Sequence, residues 1–174
     1  PALWAEMAQM GWTGVLIPED AGGADMGHRA AGILAEEMGR TLAASPYLST
    51  AVIAASVLRQ AGPRATGALQ AIAAGEATYA LAVDEGPKFA PAATAMRAER
   101  QGNAFRLSGV KAFVADGSTA GRVLVLARTS GVAGDAEGLT LFDIDADRAG
   151  LDRQALATID SRDHARLVFD GVEA

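Results

Sequence analysis

The side chains that could perform acid–base or metal chemistry are few and stand apart. His28 and His164 are the two histidines; they are distant in sequence and lack the H-x-x-x-H spacing of a zinc site. Glu36 and Glu37 are adjacent, so their side chains would diverge on a helix. We therefore interpret the histidines as structural or surface residues, and the glutamates as part of a solvated helix face.

The other motif candidates are incomplete. Asp143, Asp145 and Asp147 alternate along the chain, but the glycine and the terminal glutamate of a calcium-binding loop are missing. The Gly22–Gly27 segment lacks the G-x-G-x-x-G spacing and follows no strand–helix unit, so a Rossmann nucleotide site is unsupported. The chain contains no cysteine, which excludes disulfides and thiolate metal sites. Motif patterns alone thus identify no chemistry.

One strand-like run, LSGVKAFVADG from Leu107 to Gly117, contains a single lysine and a single aromatic residue before it closes on Asp-Gly. It is either an ordinary antiparallel strand or the wall of a cofactor site. Taken by themselves, Gly109 is typical of a tight turn or bulge, and Lys111 is typical of a solvated strand edge.

The composition indicates an acidic globular protein. Half of the 174 residues are hydrophobic, and the formal net charge is −6. Phosphate-backbone binding therefore has little electrostatic support, and we expect no nucleic-acid partner. No stretch approaches the ~20 continuous apolar residues of a membrane span, and no signal pattern opens the sequence. We expect a cytoplasmic protein without a metal site.

The elements divide into a helical domain over residues 1–76 and a β domain over residues 77–174. Four amphipathic or apolar helices are predicted in the first part. The first has an inner stripe of Leu3, Met7 and Met10, and the second has one of Ala30, Ile33, Leu34 and Met38. The third is capped by Ser49 or Thr50 and runs to Ala61, and the fourth begins at Thr66 and has Leu69 and Ile72 on its inner stripe. Strands are predicted in the second part over 78–84, 93–101, 104–114, 122–128, 139–145 and 165–170. The Gly102-Asn103 pair predicts a hairpin turn. The fold class is therefore α+β, with an all-α domain followed by an antiparallel β-barrel or sandwich.

The order of these segments resembles the acyl-CoA dehydrogenase family along essentially the whole chain. The resemblance is carried by MGWTGVLIPEDAGGADMG (10–27), LAEEMGR (34–40), GEATYALAVDE (75–85), LSGVKAFVADG (107–117) and ARLVFDGVEA (165–174). It implies the family's N-terminal helical domain and middle β domain. It also implies FAD as cofactor, and an oxidoreductase that removes a proton and a hydride from an acyl-CoA thioester.

The resemblance assigns flavin contacts to five positions of this chain. Leu81, Val83 and Asp84 stand where the family's first β-domain strand meets the pyrimidine edge of the flavin, and Asp84 replaces a threonine there. Phe113 stands in place of a tryptophan that packs on the flavin, so it keeps a ring but lacks the indole N–H. Ala115 stands in place of a threonine that donates to flavin N5. Its methyl group cannot make that contact.

Two further departures concern the surrounding segments. The loop Gly86–Thr94 stands where the family has a Gly-Ser-Asp loop, and this chain has neither that serine nor that aspartate. The family's catalytic glutamate belongs to a C-terminal helical bundle, which the resemblance does not reach, so we assign no catalytic residue within the chain.

Two hypotheses follow from the resemblance. The first is an FAD-dependent acyl-CoA dehydrogenase that holds flavin through backbone groups and packing, with an acyl-CoA substrate and an electron-transfer flavoprotein as acceptor. The second is a non-catalytic dehydrogenase-like subunit that has lost its flavin site and supports an active homologue. Either would assemble as a homo- or hetero-oligomer of dehydrogenase subunits. Three lost flavin contacts, each of about 1–3 kcal/mol, point to the second. Backbone contacts and flavin-binding segments of the family outside this sequence point to the first, which is the function we expect, with the second as its alternative.

Overall fold

The structure is a computed structural model that describes residues 2–160 and 162–174. Contacts within it divide the chain into two compact units, one ending at Tyr79 and the other spanning Ala80–Ala174. Among the described residues, no helix is both long and apolar enough to cross a membrane. The predicted class, a helical domain followed by a β domain, is confirmed.

The helical unit contains the predicted helices. They are α1 (Ala2–Gln9), α2 (Gly27–Arg40), a π-helix (Tyr47–Ala54) that continues into α3 (Ala55–Gln60), and α4 (Thr66–Ala73), with 3-10 turns at Trp12–Gly14, Glu19–Ala21 and Gly62–Ala65. Leu69 and Ile72 are buried, as their spacing predicts. A core of apolar side chains includes Trp4, Met7 and Tyr47.

Some predicted helix faces are rotated. Leu3, Met10 and Ile33 were predicted on inner stripes but are exposed, whereas Trp4 is buried and donates its indole N–H to the carbonyl of Gly75 at 2.9 Å. Thr50 does not cap a helix. Its hydroxyl instead bridges the backbone N–H and carbonyl of Tyr79 at 2.9 and 3.2 Å, which satisfies polar backbone groups at the end of the unit.

The β unit is one mixed sheet of seven strands. These are β1 (Tyr79–Ala82), β2 (Arg97–Gln101), β3 (Ala104–Ala115), β4 (Arg122–Arg128), β5 (Leu139–Asp145), β6 (Leu151–Ala155) and β7 (His164–Glu173). The order is β1-β4-β2-β3-β7-β6, and β5 pairs with β4. β2 and β4 pair in parallel at Arg97 and Arg128, while β2–β3, β3–β7, β4–β5 and β6–β7 are antiparallel.

Two local features of β3 follow from its sequence. Gln101 pairs with Ala104, so the predicted two-residue hairpin at Gly102-Asn103 is confirmed. Gly109 lies at a register shift with a φ of 149°, and a Cβ there would lie 2.8 Å from Met96 Cγ. The ladder is therefore irregular at Gly109, as predicted, with the extra residue on β7, and glycine lets β3 pass close to Met96.

Candidate functional site

A bulge in β3 turns Phe113 out of the sheet. The ladder with β7 passes from the pair Lys111–Leu167 to the pair Val114–Ala165, so β3 carries one extra residue. Phe113 has a left-handed backbone, with a φ of 52°, and 59% of the residue is exposed. Positive φ is uncommon for a bulky residue and persists only where neighbouring structure fixes it. An exposed aromatic ring held this way is a candidate binding surface.

A buried ion pair anchors β3 two residues before Phe113. Lys111 is fully buried, and its Nζ donates to Glu85 Oε1 at 2.8 Å and to the carbonyl of Val83 at 2.9 Å. The prediction of a solvated edge for Lys111 was therefore wrong. Glu85 also accepts the backbone N–H groups of Ala95 and Met96 at 2.8 and 3.0 Å, so the pair joins the end of β1, the start of β2 and β3.

The environment shifts the pKa of both partners. Burial lowers the pKa of Lys111 below its ordinary value, although the hydrogen bond and charge of Glu85 oppose this change. Burial tends to raise the pKa of Glu85, but hydrogen bonds from Lys111, Ala95 and Met96 outweigh it and the pKa is lowered. Glu85 is therefore an ionised carboxylate whose function is to hold Lys111 and the β2 start in place.

The residues predicted at the pyrimidine edge lie on and just after β1. Leu81 is half-buried on β1, and Val83 and Asp84 follow the strand, also half-buried. The carbonyl of Asp84 accepts the backbone N–H of Ala112 at 2.7 Å, which places Asp84 beside the residue that precedes Phe113. The Oδ1 atom of Asp84 is buried and has no hydrogen-bond partner. The structure thus places the backbone of Asp84 next to the segment that carries Phe113.

Ala115 is exposed at the far side of the bulge and pairs with His164 of β7. The turn that follows is held by Asp163, whose carboxylate accepts the hydroxyl of Ser118 and, at 2.6 Å, that of Thr119. Burial tends to raise the pKa of Asp163, but these hydrogen bonds outweigh it and the pKa is lowered. His164 Nδ1 is buried and has no partner.

A buried arginine organises the loop Gly86–Thr94. Arg128, at the end of β4, donates to the carbonyls of Thr94, Ala92, Asp135 and Glu137 at 2.8–3.0 Å. The loop borders a cavity of about 210 Å³ whose lining includes Lys88 and Thr94. Thr94 is itself buried, with an unpaired Oγ1.

Sequence reasoning missed Lys111, Glu85, Arg128 and His164 as parts of this site. Lys111 carries a usable signal: it is one of only two lysines in the chain and faces inward in a strand of alternating pattern. No comparable signal marks Arg128, which donates to backbone carbonyls, or His164, whose position opposite Ala115 is set by the register of two strands. Among the described residues, no cluster of three metal-ligating side chains exists.

The described wall fits a flat aromatic group by packing. Phe113 offers an exposed ring, and Asp84 and His164 on either side of its segment each hold an unpaired buried polar atom. Ala115 contributes a methyl group without a donor. A flavin held here would therefore rely on the Phe113 ring, on backbone groups and on these two polar side chains.

The comparisons with known proteins agree with this architecture. The family model described as acyl-CoA dehydrogenase, N-terminal domain, matches residues 1–76, and that described as acyl-CoA dehydrogenase, middle domain, matches residues 83–172. A search of curated proteins gave no match.

Solved structures are similar over nearly the whole chain. A variant of the "Tcur3481-Tcur3483 steroid ACAD" is 33% identical, with a TM-score of 0.84, 99% of this chain covered and 46% of that one. The structure of a "putative ACYL-COA Dehydrogenase" from Mycobacterium smegmatis is 26% identical, with a TM-score of 0.88; the match covers 99% of this chain and 47% of that one. The ChsE4-ChsE5 complex from Mycobacterium tuberculosis is 27% identical, with a TM-score of 0.81 and coverages of 99% and 45%. The chain thus spans about half the length of these chains, and it belongs to the acyl-CoA dehydrogenase family.

Proposed function

We propose that this chain forms the flavin-binding part of an FAD-dependent acyl-CoA dehydrogenase. The observation that carries the proposal is the outward-turned Phe113 ring on a left-handed bulge of β3, the strand that the Lys111–Glu85 pair joins to the segment after β1. FAD would supply the hydride acceptor for α,β-dehydrogenation of an acyl-CoA thioester. The chain's own residues would pack against the ring, exclude water from one face and hold its polar edge.

The roles divide among three groups of residues. Phe113 would provide the apolar wall, and Leu81, Val83 and Asp84 would provide backbone and side-chain contacts along the adjoining edge. Arg128 would fix the loop Gly86–Thr94, which borders the cavity next to Val83 and Glu85. A glutamate base, an electron-transfer flavoprotein acceptor and assembly with other dehydrogenase subunits complete the proposal by family resemblance.

A second candidate function is a supporting subunit that no longer holds flavin. Ala115 supplies no donor, and the unpaired carboxylate oxygen of Asp84 would oppose negative charge on a reduced ring. One of the similar structures is of a complex between two differently named proteins, ChsE4 and ChsE5. This likeness supports a mixed assembly.

Both candidate functions are tested by the visible spectrum of the natural protein. The protein is purified alone and, separately, together with the dehydrogenase subunit with which it assembles. We expect bound flavin in the protein purified alone, and bleaching of its absorption when acyl-CoA is added. A colourless protein that gains flavin only with its partner would overturn the first proposal and support the second. Phe113→Ala should weaken FAD binding about threefold to tenfold, because it removes the stacking surface. Leu42→Ala, which truncates an exposed leucine in the helical unit, is the matched control.

A further inference from the structure

Unpaired polar atoms are not scattered evenly through the molecule. Among the residues that the structure describes, three buried side-chain atoms lack a hydrogen-bond partner: Asp84 Oδ1, Thr94 Oγ1 and His164 Nδ1. All three belong to the β unit. Two of them flank Phe113, since Asp84 accepts the N–H of Ala112 and His164 pairs with Ala115. Buried polar groups normally have partners. Because the charge of Asp84 acts on Lys111, His164 is the unpaired group that indicates a ligand contact in the Phe113 segment.

His164 is placed directly across from Ala115. Residues that oppose each other in an antiparallel pair present their side chains on the same face, with Cβ atoms about 4.5–5.5 Å apart. The backbone of this corner is fixed, because Leu156 donates its N–H to the carbonyl of His164 at 2.8 Å and Asp116 donates to that of Asp163 at 2.9 Å. The imidazole therefore lies beside the position at which Ala115 lacks a donor.

Neighbouring charged groups do not satisfy the imidazole. Asp163 precedes His164, but its carboxylate is occupied by Ser118 and Thr119. Asp160 attracts His164 through charge, yet Asp160 is on an exposed turn and makes no hydrogen bond to Nδ1. The ring nitrogen is thus left with an unused hydrogen-bonding position in a fixed part of the sheet.

We infer that His164, with Nδ1 protonated, donates the hydrogen bond to the flavin ring that Ala115 cannot make. The polar contact has moved from β3 to the adjacent strand β7, while Phe113 keeps the stacking surface. This inference rests on the proposed function, and it adds a flavin-binding residue that lies outside the five positions assigned by family resemblance.

The test is the affinity of the natural protein for FAD, measured by quenching of flavin fluorescence after removal and return of the cofactor. His164→Phe keeps a ring but removes the N–H donor, and we expect about tenfold weaker binding. His164→Gln keeps an N–H donor and should stay within about threefold of the wild type. His28→Phe is the matched control, since His28 lies in the helical unit and contacts Ser56 at 3.4 Å.

A rescue variant separates hydrogen bonding from folding. His164→Phe combined with Ala115→Thr restores a hydroxyl on β3 and should recover most of the lost affinity. Wild-type affinity in His164→Phe, or equal loss in the Gln variant and no rescue by Thr, would overturn the inference while leaving the proposed function intact. No FAD binding by the wild type or any variant would overturn the proposed function as well.

Discussion

Substitutions in the Lys111–Glu85 pair should be unequal in cost, because the two partners are unequally buried. The side chain of Lys111 is fully buried, whereas 23% of the Glu85 side chain is exposed. In Glu85→Gln, the buried ammonium group would lose its hydrogen-bonded carboxylate and keep only neutral acceptors, with the charge of Asp84 nearby, and breaking a buried pair this way costs about 3–5 kcal/mol. In Lys111→Met, Glu85 would keep two backbone donors and its contact with water, so we expect about 1–3 kcal/mol.

Urea unfolding followed by circular dichroism measures both free energies. Glu173→Gln is the control, because it breaks the exposed Arg106–Glu173 pair at 3.1 Å and should cost at most about 1 kcal/mol. The double variant Lys111→Met/Glu85→Gln should cost less than the sum of the two single changes, because it removes both charges of the pair, whereas each single change leaves one of them without its partner. A Glu85→Gln variant that is as stable as Lys111→Met would refute the reasoning from burial.

Three further predictions concern stability. Arg128→Lys keeps the charge but cannot reach four carbonyls, so we expect a loss of about 2–4 kcal/mol in urea unfolding, whereas Arg97→Lys, which alters a single exposed contact to Gly131, should be nearly neutral. Burial raises the pKa of Tyr47 to about 12, so the stability it contributes is present below the ordinary value near pH 10 and is lost as the pH rises toward 12. Tyr47→Phe should remove this alkaline loss in melting temperatures measured from pH 9 upward. The lowered pKa of Asp163 stabilises the fold above about pH 4, and this contribution is lost as the pH falls through the folded-state pKa. Ser118→Ala should make acid unfolding less steep, and an unchanged titration would contradict this.

Local signals in the sequence determine a large part of the fold. The Gly102-Asn103 turn and the strands at 122–128 and 139–145 are where the alternation and turn residues predict them, because short-range chemistry dominates there. β6 was missed, since Leu151–Ala155 is mostly polar and its pairing with β7 is what makes it a strand. Leu3, Met10 and Ile33 are exposed. An apolar stripe therefore predicts that a helix forms, but it does not predict which side of the helix packs against the core.

The candidate site was less predictable because it depends on long-range pairing. A lysine in a strand usually lies at a solvent-exposed edge. Lys111 is buried because Glu85, just after β1, provides a carboxylate partner for its ammonium group. The sequence around Phe113 does not indicate a left-handed backbone. The extra residue in β3 becomes apparent only when the residues of β3 are paired with those of β7. His164 lies 49 positions beyond Ala115 in sequence, and the register of β3 and β7 alone places them opposite each other.

Two polar side chains near the Phe113 segment, Asp84 and His164, should shift the reduction potential of a bound flavin in opposite directions. Measuring these shifts distinguishes a working flavin site from a lost one. A ring that gains negative charge here would be stabilised by an N–H donor from His164 and opposed by the carboxylate of Asp84. Asp84→Asn should therefore raise the reduction potential of bound flavin, while His164→Phe should lower it, and each shift should correspond to about 1–2 kcal/mol. Spectroelectrochemical titration of the natural protein measures both. Shifts in the same direction, or none, would mean that these side chains do not face the ring and that their unpaired atoms have another cause.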